Sequence, residues 1–129
     1  MIYPWCLYQP MGESYVEFAD APGIGTQGTM ACRNHYLADG KYAHDPYAVP
    51  LNARDFTRLP PTLIHTAQID PVRDDGRIYA AALIQAGNCV TYREAEGMIH
   101  GFMRARFAGP AARAEFDFIC AFLKSHLGS

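Results

Sequence analysis

Leu59-Pro60-Pro61-Thr62-Leu63-Ile64-His65-Thr66-Ala67-Gln68-Ile69-Asp70-Pro71-Val72-Arg73-Asp74-Asp75-Gly76 is the stretch whose reading decides the fold. Thr62 to Ala67 reads as a short buried strand that runs straight into an acidic turn. Beyond the turn, Asp74 or Asp75 can cap a helix. Either cap leaves Asp70 free immediately past the strand's C-terminal end, where open α/β sheets keep their chemistry.

Downstream the pattern stays regular. Apolar spacing predicts a helix of about three turns over Asp75–Ala86, with Ile78, Tyr79, Ala82, Leu83 and Ala86 on its core side. Gly87 follows in the position expected of a helix stop. Cys89–Glu94, rich in β-branched and aromatic residues, is the next strand. Pro110 opens a last helix at a tolerated first-turn position. In that helix Phe116, Ile119, Cys120 and Leu123 repeat at i, i+3, i+4 and i+7 and cover one sheet face. Strand, helix, strand, helix is the order of a parallel sheet with crossover helices.

Upstream, Met1-Ile2-Tyr3-Pro4 reads as the tail of a strand cut short by proline. A start inside a strand is the mark of a truncated domain. Residues 5–58 are irregular, with proline at 10, 22, 46 and 50, and glycine at 12, 23, 25, 28 and 40. One helix is expected near Gln27 to Leu37 and a shorter turn over Ser14–Ala19. Long segments of this kind in a compact domain are functional insertions or lids.

Composition excludes several functions. A chain of 129 residues, half of them hydrophobic, is one globular domain and not a disordered segment. Net charge −2 gives no electrostatic footprint for nucleic acid or anionic lipid. No apolar run approaches the roughly 20 residues that span a bilayer. The N-terminus has no signal-peptide pattern. Cys6, Cys32, Cys89 and Cys120 are far apart without metal-type spacing, and read as reduced, mostly buried thiols of a cytoplasmic protein.

The chemistry then rests on few residues. Gly97-Met98-Ile99-His100-Gly101-Phe102 sets a histidine on a loop after the second strand, with glycines on both sides that permit tight turning. A histidine base needs a carboxylate to fix its tautomer and stabilise the imidazolium, so Asp70 and His100 are candidates for two members of a hydrolytic triad; on the residues alone, a turn-capping carboxylate and a structural histidine are the alternative of equal weight. The third is missing: Ser14, Ser125 and Ser129 lie outside any Gly-x-Ser-x-Gly elbow. His65, inside a strand, reads as a packed side chain. Gly23-Ile24-Gly25-Thr26-Gln27-Gly28 matches the dinucleotide fingerprint in letters only, since no strand precedes it, and its glycines are read as loop. A metal site from His65, Asp70 and His100 has no support in spacing. No cofactor is implied.

At this point the residues resemble a known family. Leu59-Pro60-Pro61, Asp70-Pro71-Val72-Arg73-Asp74-Asp75-Gly76, Tyr79-Ala80, Leu83 and Ala86-Gly87 resemble the C-terminal part of the hormone-sensitive-lipase-like carboxylesterases, of the α/β-hydrolase fold. Gly97–Phe102 looks like the same family's catalytic-histidine loop. Tyr36-Leu37 and Asp45-Pro46-Tyr47-Ala48-Val49-Pro50-Leu51 resemble the segment before the acid-bearing strand, and Ile2-Tyr3-Pro4 the end of the sixth strand. The resemblance implies Asp70 as triad acid and His100 as triad base. Two parts of the family pattern, the nucleophile elbow and the His-Gly-Gly-Gly oxyanion loop, lie upstream of the sixth strand and have no counterpart here. Val49 stands where the family commonly has serine, and Trp5-Cys6-Leu7-Tyr8 is not its usual continuation, which concerns pocket detail.

The expectation is therefore a partial α/β-hydrolase fold with about three parallel strands and flanking helices. Residues 1–129 form the C-terminal portion of one domain, with 5–58 irregular and insert-like and 59–129 carrying the acid and the histidine. The complete enzyme would act on a small carboxylic ester. This chain would be inactive alone and would associate as a homo-oligomer or with a complementary N-terminal chain. The alternative is a non-catalytic remnant or association module that keeps the half-fold.

Overall fold

Every position from Leu63 to Ala67 is buried, which a strand achieves only when both of its faces are covered. The covering elements are seen in a computed structural model that describes residues 1–128. In chain order these are α1 (Ser14–Glu17), α2 (Thr26–Tyr36), β1 (Thr62–Ile69), α3 (Arg73–Gln85), β2 (Val90–Ile99) and α4 (Pro110–Leu127). Short 3-10 turns occupy Pro50–Asn52 and Phe102–Ala105.

β1 and β2 pair in parallel, from Thr62 opposite Val90 to Ala67 opposite Ala95, and α3 makes the connection between them. On its other edge β1 receives Ile2 in a parallel bridge to His65. The His65 N–H donates to Met1 O at 3.0 Å, and its carbonyl accepts the Tyr3 N–H. The third expected strand is thus a single bridge among the described residues. Its shortness has a local cause, because Tyr3 turns out of extended geometry at φ 35 and Pro4 has no N–H to continue a ladder.

The two faces of β1 meet different helices. Ile64 packs with Ala80 and Leu83 of α3. Ala67 packs with Ala95, Phe102 and Ala112 of α4. On that second side His65 Nε2 is paired with Glu115 Oε2 at 2.8 Å, and Arg93 holds the same carboxylate through Nε and Nη2. This network ties β1 and β2 to α4. A third cluster, Leu37, Ala43 and Val49, gives the irregular N-terminal segment a small core of its own, with Trp5 and Tyr8 against it.

Element boundaries shift from the expectations by one to five residues. β1 extends two residues further, α3 begins at Arg73, and β2 runs Val90–Ile99 where Cys89–Glu94 was expected. The buried stripe of α3 is Gly76, Ala80 and Leu83, while Ile78, Tyr79, Ala82 and Ala86 are only half-buried. The cause is the close seat of Gly76: a Cβ there would stand 2.4 Å from Thr66 Cγ2. In α4, Ala112 and Ile119 are buried, whereas Leu123 is exposed. All four cysteines are free, with Cys6 buried but Cys32 and Cys89 exposed. No helix among the described residues is long and apolar enough to cross a membrane.

Candidate active site

Asp70 leaves the C-terminal end of β1 and His100 leaves the end of β2. Because the strands are parallel neighbours, both side chains arrive at the same end of the sheet, the C-terminal one. His100 Nδ1 lies 2.7 Å from Asp70 Oδ2. A carboxylate only accepts, so Nδ1 carries the shared proton and Nε2 is left as the basic nitrogen. Asp70 is fully buried, and the His100 side chain keeps 30 % of its exposure. The carboxylate is therefore sheltered from water while the ring remains reachable. Tyr3 packs on the ring at 4.6 Å between centroids.

The reach of His100 depends on an irregularity in β2. Between the pairs Ala67–Ala95 and Ile69–Ile99 one residue of β1 faces three of β2, a bulge that re-aims the strand end. Gly97 sits in it at φ 68, and its N–H donates to Gln68 Oε1 at 2.8 Å. Gly101, on the far side of His100, is also left-handed at φ 82. Both glycines around the histidine are thus in conformations that favour glycine.

The acidic turn divides its labour differently from the sequence expectation. Neither Asp74 nor Asp75 caps α3, whose N-cap is Val72. Asp70 itself closes the turn, Oδ1 accepting the Val72 N–H at 2.9 Å while Oδ2 serves His100. Asp74 Oδ2 accepts the Ser14 N–H at 3.0 Å. Asp75 accepts the N–H groups of Cys6 and Leu7 and the hydroxyl of Tyr15, all within 3.1 Å. Burial outweighs these bonds and pushes Asp75 up to about 6; burial and then Asp75 push the Cys6 thiol up to about 12. The turn that places Asp70 also pins the N-terminal segment.

That segment walls a cavity of about 240 Å³ ending on His100, with Trp5, Ile24, Tyr36 and Val72 as apolar surface and Arg33 as its cation. Sequence reasoning did not find Trp5, Arg33 or Tyr3; the one signal was the unusual Trp5–Tyr8 continuation after Tyr3-Pro4. A second depression joins Gly23, Ile24, Arg104 and His100. Gly23 and Gly25 precede α2, Gly28 lies within it, and no strand leads into the motif. His65 turns toward Glu115 on the α4 side, so it does not join Asp70 and His100. No group of three metal-type side chains gathers among the described residues. Ser14 Oγ donates to Pro71 O and Ser125 Oγ to Phe122 O; Ser129 lies outside the described residues.

Comparison with known proteins adds the following. A sequence family described as alpha/beta hydrolase fold matches residues 1–104. Carboxylic ester hydrolase LipN of Mycobacterium tuberculosis is 37% identical over 83 residues, 64% of this chain and 22% of LipN. Esterase LipI of the same organism is 34% identical over 112 residues, 85% of this chain and 35% of LipI. A thermostable esterase from Pseudomonas putida superposes with a TM-score of 0.90 at 32% identity, over 99% of this chain and 41% of that one. The chain thus spans between about a fifth and two fifths of the length of these relatives.

Proposed function

The chain belongs to the α/β-hydrolase fold family, and on that premise we propose that it supplies the acid and the general base of a serine carboxylic-ester hydrolase. The observation that carries this reading is the 2.7 Å contact between the buried Asp70 carboxylate and Nδ1 of the accessible His100. His100 Nε2 takes the proton of a serine hydroxyl as that oxygen attacks the ester carbonyl. Asp70 fixes the tautomer and stabilises the imidazolium. His100 then protonates the leaving alcohol and activates the water that releases the acid. The serine and the oxyanion donors come from sequence of the family's nucleophile-bearing part, so this chain by itself is not an efficient esterase.

The partner is the nucleophile-bearing part of the fold, whichever chain carries it, or a second copy, in a reducing cytosol where the four thiols stay free. Met1, Ile2 and Leu123 support this, since they remain partly exposed around a groove beside β1 that an apolar face would cover. Light scattering at micromolar concentration should exceed one 14.3 kDa chain; a monomer would count against it. The second reading, a non-catalytic association module, is favoured by the local engagement of both described serine hydroxyls.

A chimera separates the two readings. The matched part of the Pseudomonas putida esterase is replaced by this chain, and hydrolysis of a short p-nitrophenyl ester is measured with and without His100→Ala. Turnover that falls at least about 10³-fold in the variant supports the triad role. A folded chimera that is inactive, or indifferent to His100→Ala, removes it.

A further inference from the structure

The cavity that ends on His100 holds one arginine, and no carboxylate contributes to its wall. Among the described residues the arginine ion pairs belong to Arg73, Arg77, Arg93 and Arg113. Arg33 has none. Its Nη1 donates to Tyr8 O at 2.6 Å, its Nη2 to Asn34 Oδ1 at 3.3 Å, and its guanidinium lies 5.3 Å from the centre of the Tyr8 ring. Nε is buried and has no acceptor. A carbonyl, an amide and a ring orient the group without neutralising it. A positive charge held beside apolar surface with no counter-charge is costly, and the cost falls when an anion enters.

We propose that this cavity recognises a carboxylate carried by the ester substrate itself. The inference rests on the esterase reading: the ester carbonyl lies at His100, an aryl or short alkyl spacer rests on Trp5 and Val72, and the carboxylate meets Arg33. The substrate class is a small ester with an anionic end, such as a half-ester of a dicarboxylic acid. A planar carboxylate suits a single guanidinium, whereas a phosphate dianion calls for more donors than one partly committed arginine offers. At about 240 Å³, roughly eight water volumes, the space takes a small arylalkyl acid.

The test is a binding measurement that requires no nucleophile. Trp5 is the single tryptophan of the chain and lies in the cavity wall, so its emission reports occupancy. The full-length chain is titrated with 3-phenylpropionate and with its neutral isostere 3-phenylpropanamide, and the affinities are checked by calorimetry. The acid should bind at least about 10-fold tighter than the amide, a preference that Arg33→Gln abolishes and Arg33→Lys retains in part. Equal binding of acid and amide, or binding of neither, overturns the proposal even if Arg33→Gln fails to fold. A preference that survives Arg33→Gln but vanishes in His100→Gln gives the anion to the imidazole and overturns it as well. Failure of the esterase reading is seen separately, in the chimera's response to His100→Ala.

Discussion

Asp75 and Cys6 stand 69 positions apart in the chain, yet the Cys6 N–H donates to Asp75 Oδ2 at 2.9 Å. The bond joins the first turn of α3 to the segment that carries Trp5. With the Leu7 N–H and the Tyr15 hydroxyl on the same carboxylate, it makes Asp75 the anchor of the cavity wall.

This anchor has a pH signature. Burial raises Asp75 from the ordinary carboxylate value to about 6, so between pH ~4 and ~6 the native state holds a proton that the unfolded chain has released. Its contribution is fully present below the unfolded pKa and is lost as pH rises through about 6. Asp75→Asn, nearly isosteric and without a charge, is expected to cancel that loss. Urea denaturation at a series of pH values should show wild type losing on the order of 2 kcal/mol relative to the variant between pH 4 and 7. Parallel stability curves for the two proteins would sink the assignment. Asp75→Ala, which leaves three donors without an acceptor, should cost about 3 kcal/mol or more at every pH.

The seat of α3 on β1 gives a second prediction. Alanine is a better helix former than glycine by about 1 kcal/mol, so Gly76→Ala would stabilise an open helix. Here the new methyl would meet Thr66 Cγ2 at 2.4 Å, and Thr66 is held by its hydroxyl contact with Tyr92 at 2.9 Å. Gly76→Ala should therefore destabilise by about 1–3 kcal/mol. Thr66→Ser removes the methyl and keeps the hydroxyl, so the double variant should recover most of the loss, with a coupling energy above about 1 kcal/mol. Additive single effects would show that the contact is not the cause.

These two cases also mark what the sequence could disclose. The β1–α3–β2 order and the acid and histidine at the strand ends were legible because each is written in a contiguous stretch with its own periodicity or turn residues. The role of Asp75 was not, because its partners are backbone N–H groups of Cys6 and Leu7, and backbone donors carry no residue signature. The buried side of α3 was misjudged for a related reason: Gly76 faces Thr66 through its missing side chain, while hydrophobic spacing counts only the side chains present. Trp5 and Arg33 line one cavity with His100 across long sequence separations, and nothing in local spacing brings them together.

The last prediction concerns Asp70, whose two oxygens do separate work. Oδ1 accepts the Val72 N–H and Oδ2 faces His100 Nδ1. In Asp70→Asn the amide oxygen can keep the Val72 bond, so the turn persists and stability should change by no more than about 1 kcal/mol. The amide nitrogen then faces His100 and donates, which obliges Nδ1 to accept and moves the ring proton to Nε2, the atom that must act as base. Esterase turnover in the chimera should fall about 10⁴-fold while the melting temperature holds. Nitrogen NMR of the imidazole should report the exchanged tautomer in the isolated chain, without any need for activity. Asp70→Ala, which removes both bonds, should instead lower turnover and stability together. If Asp70→Asn keeps the Nδ1–H tautomer, or leaves turnover within 10-fold of wild type, then Asp70 shapes the turn and does not orient the base.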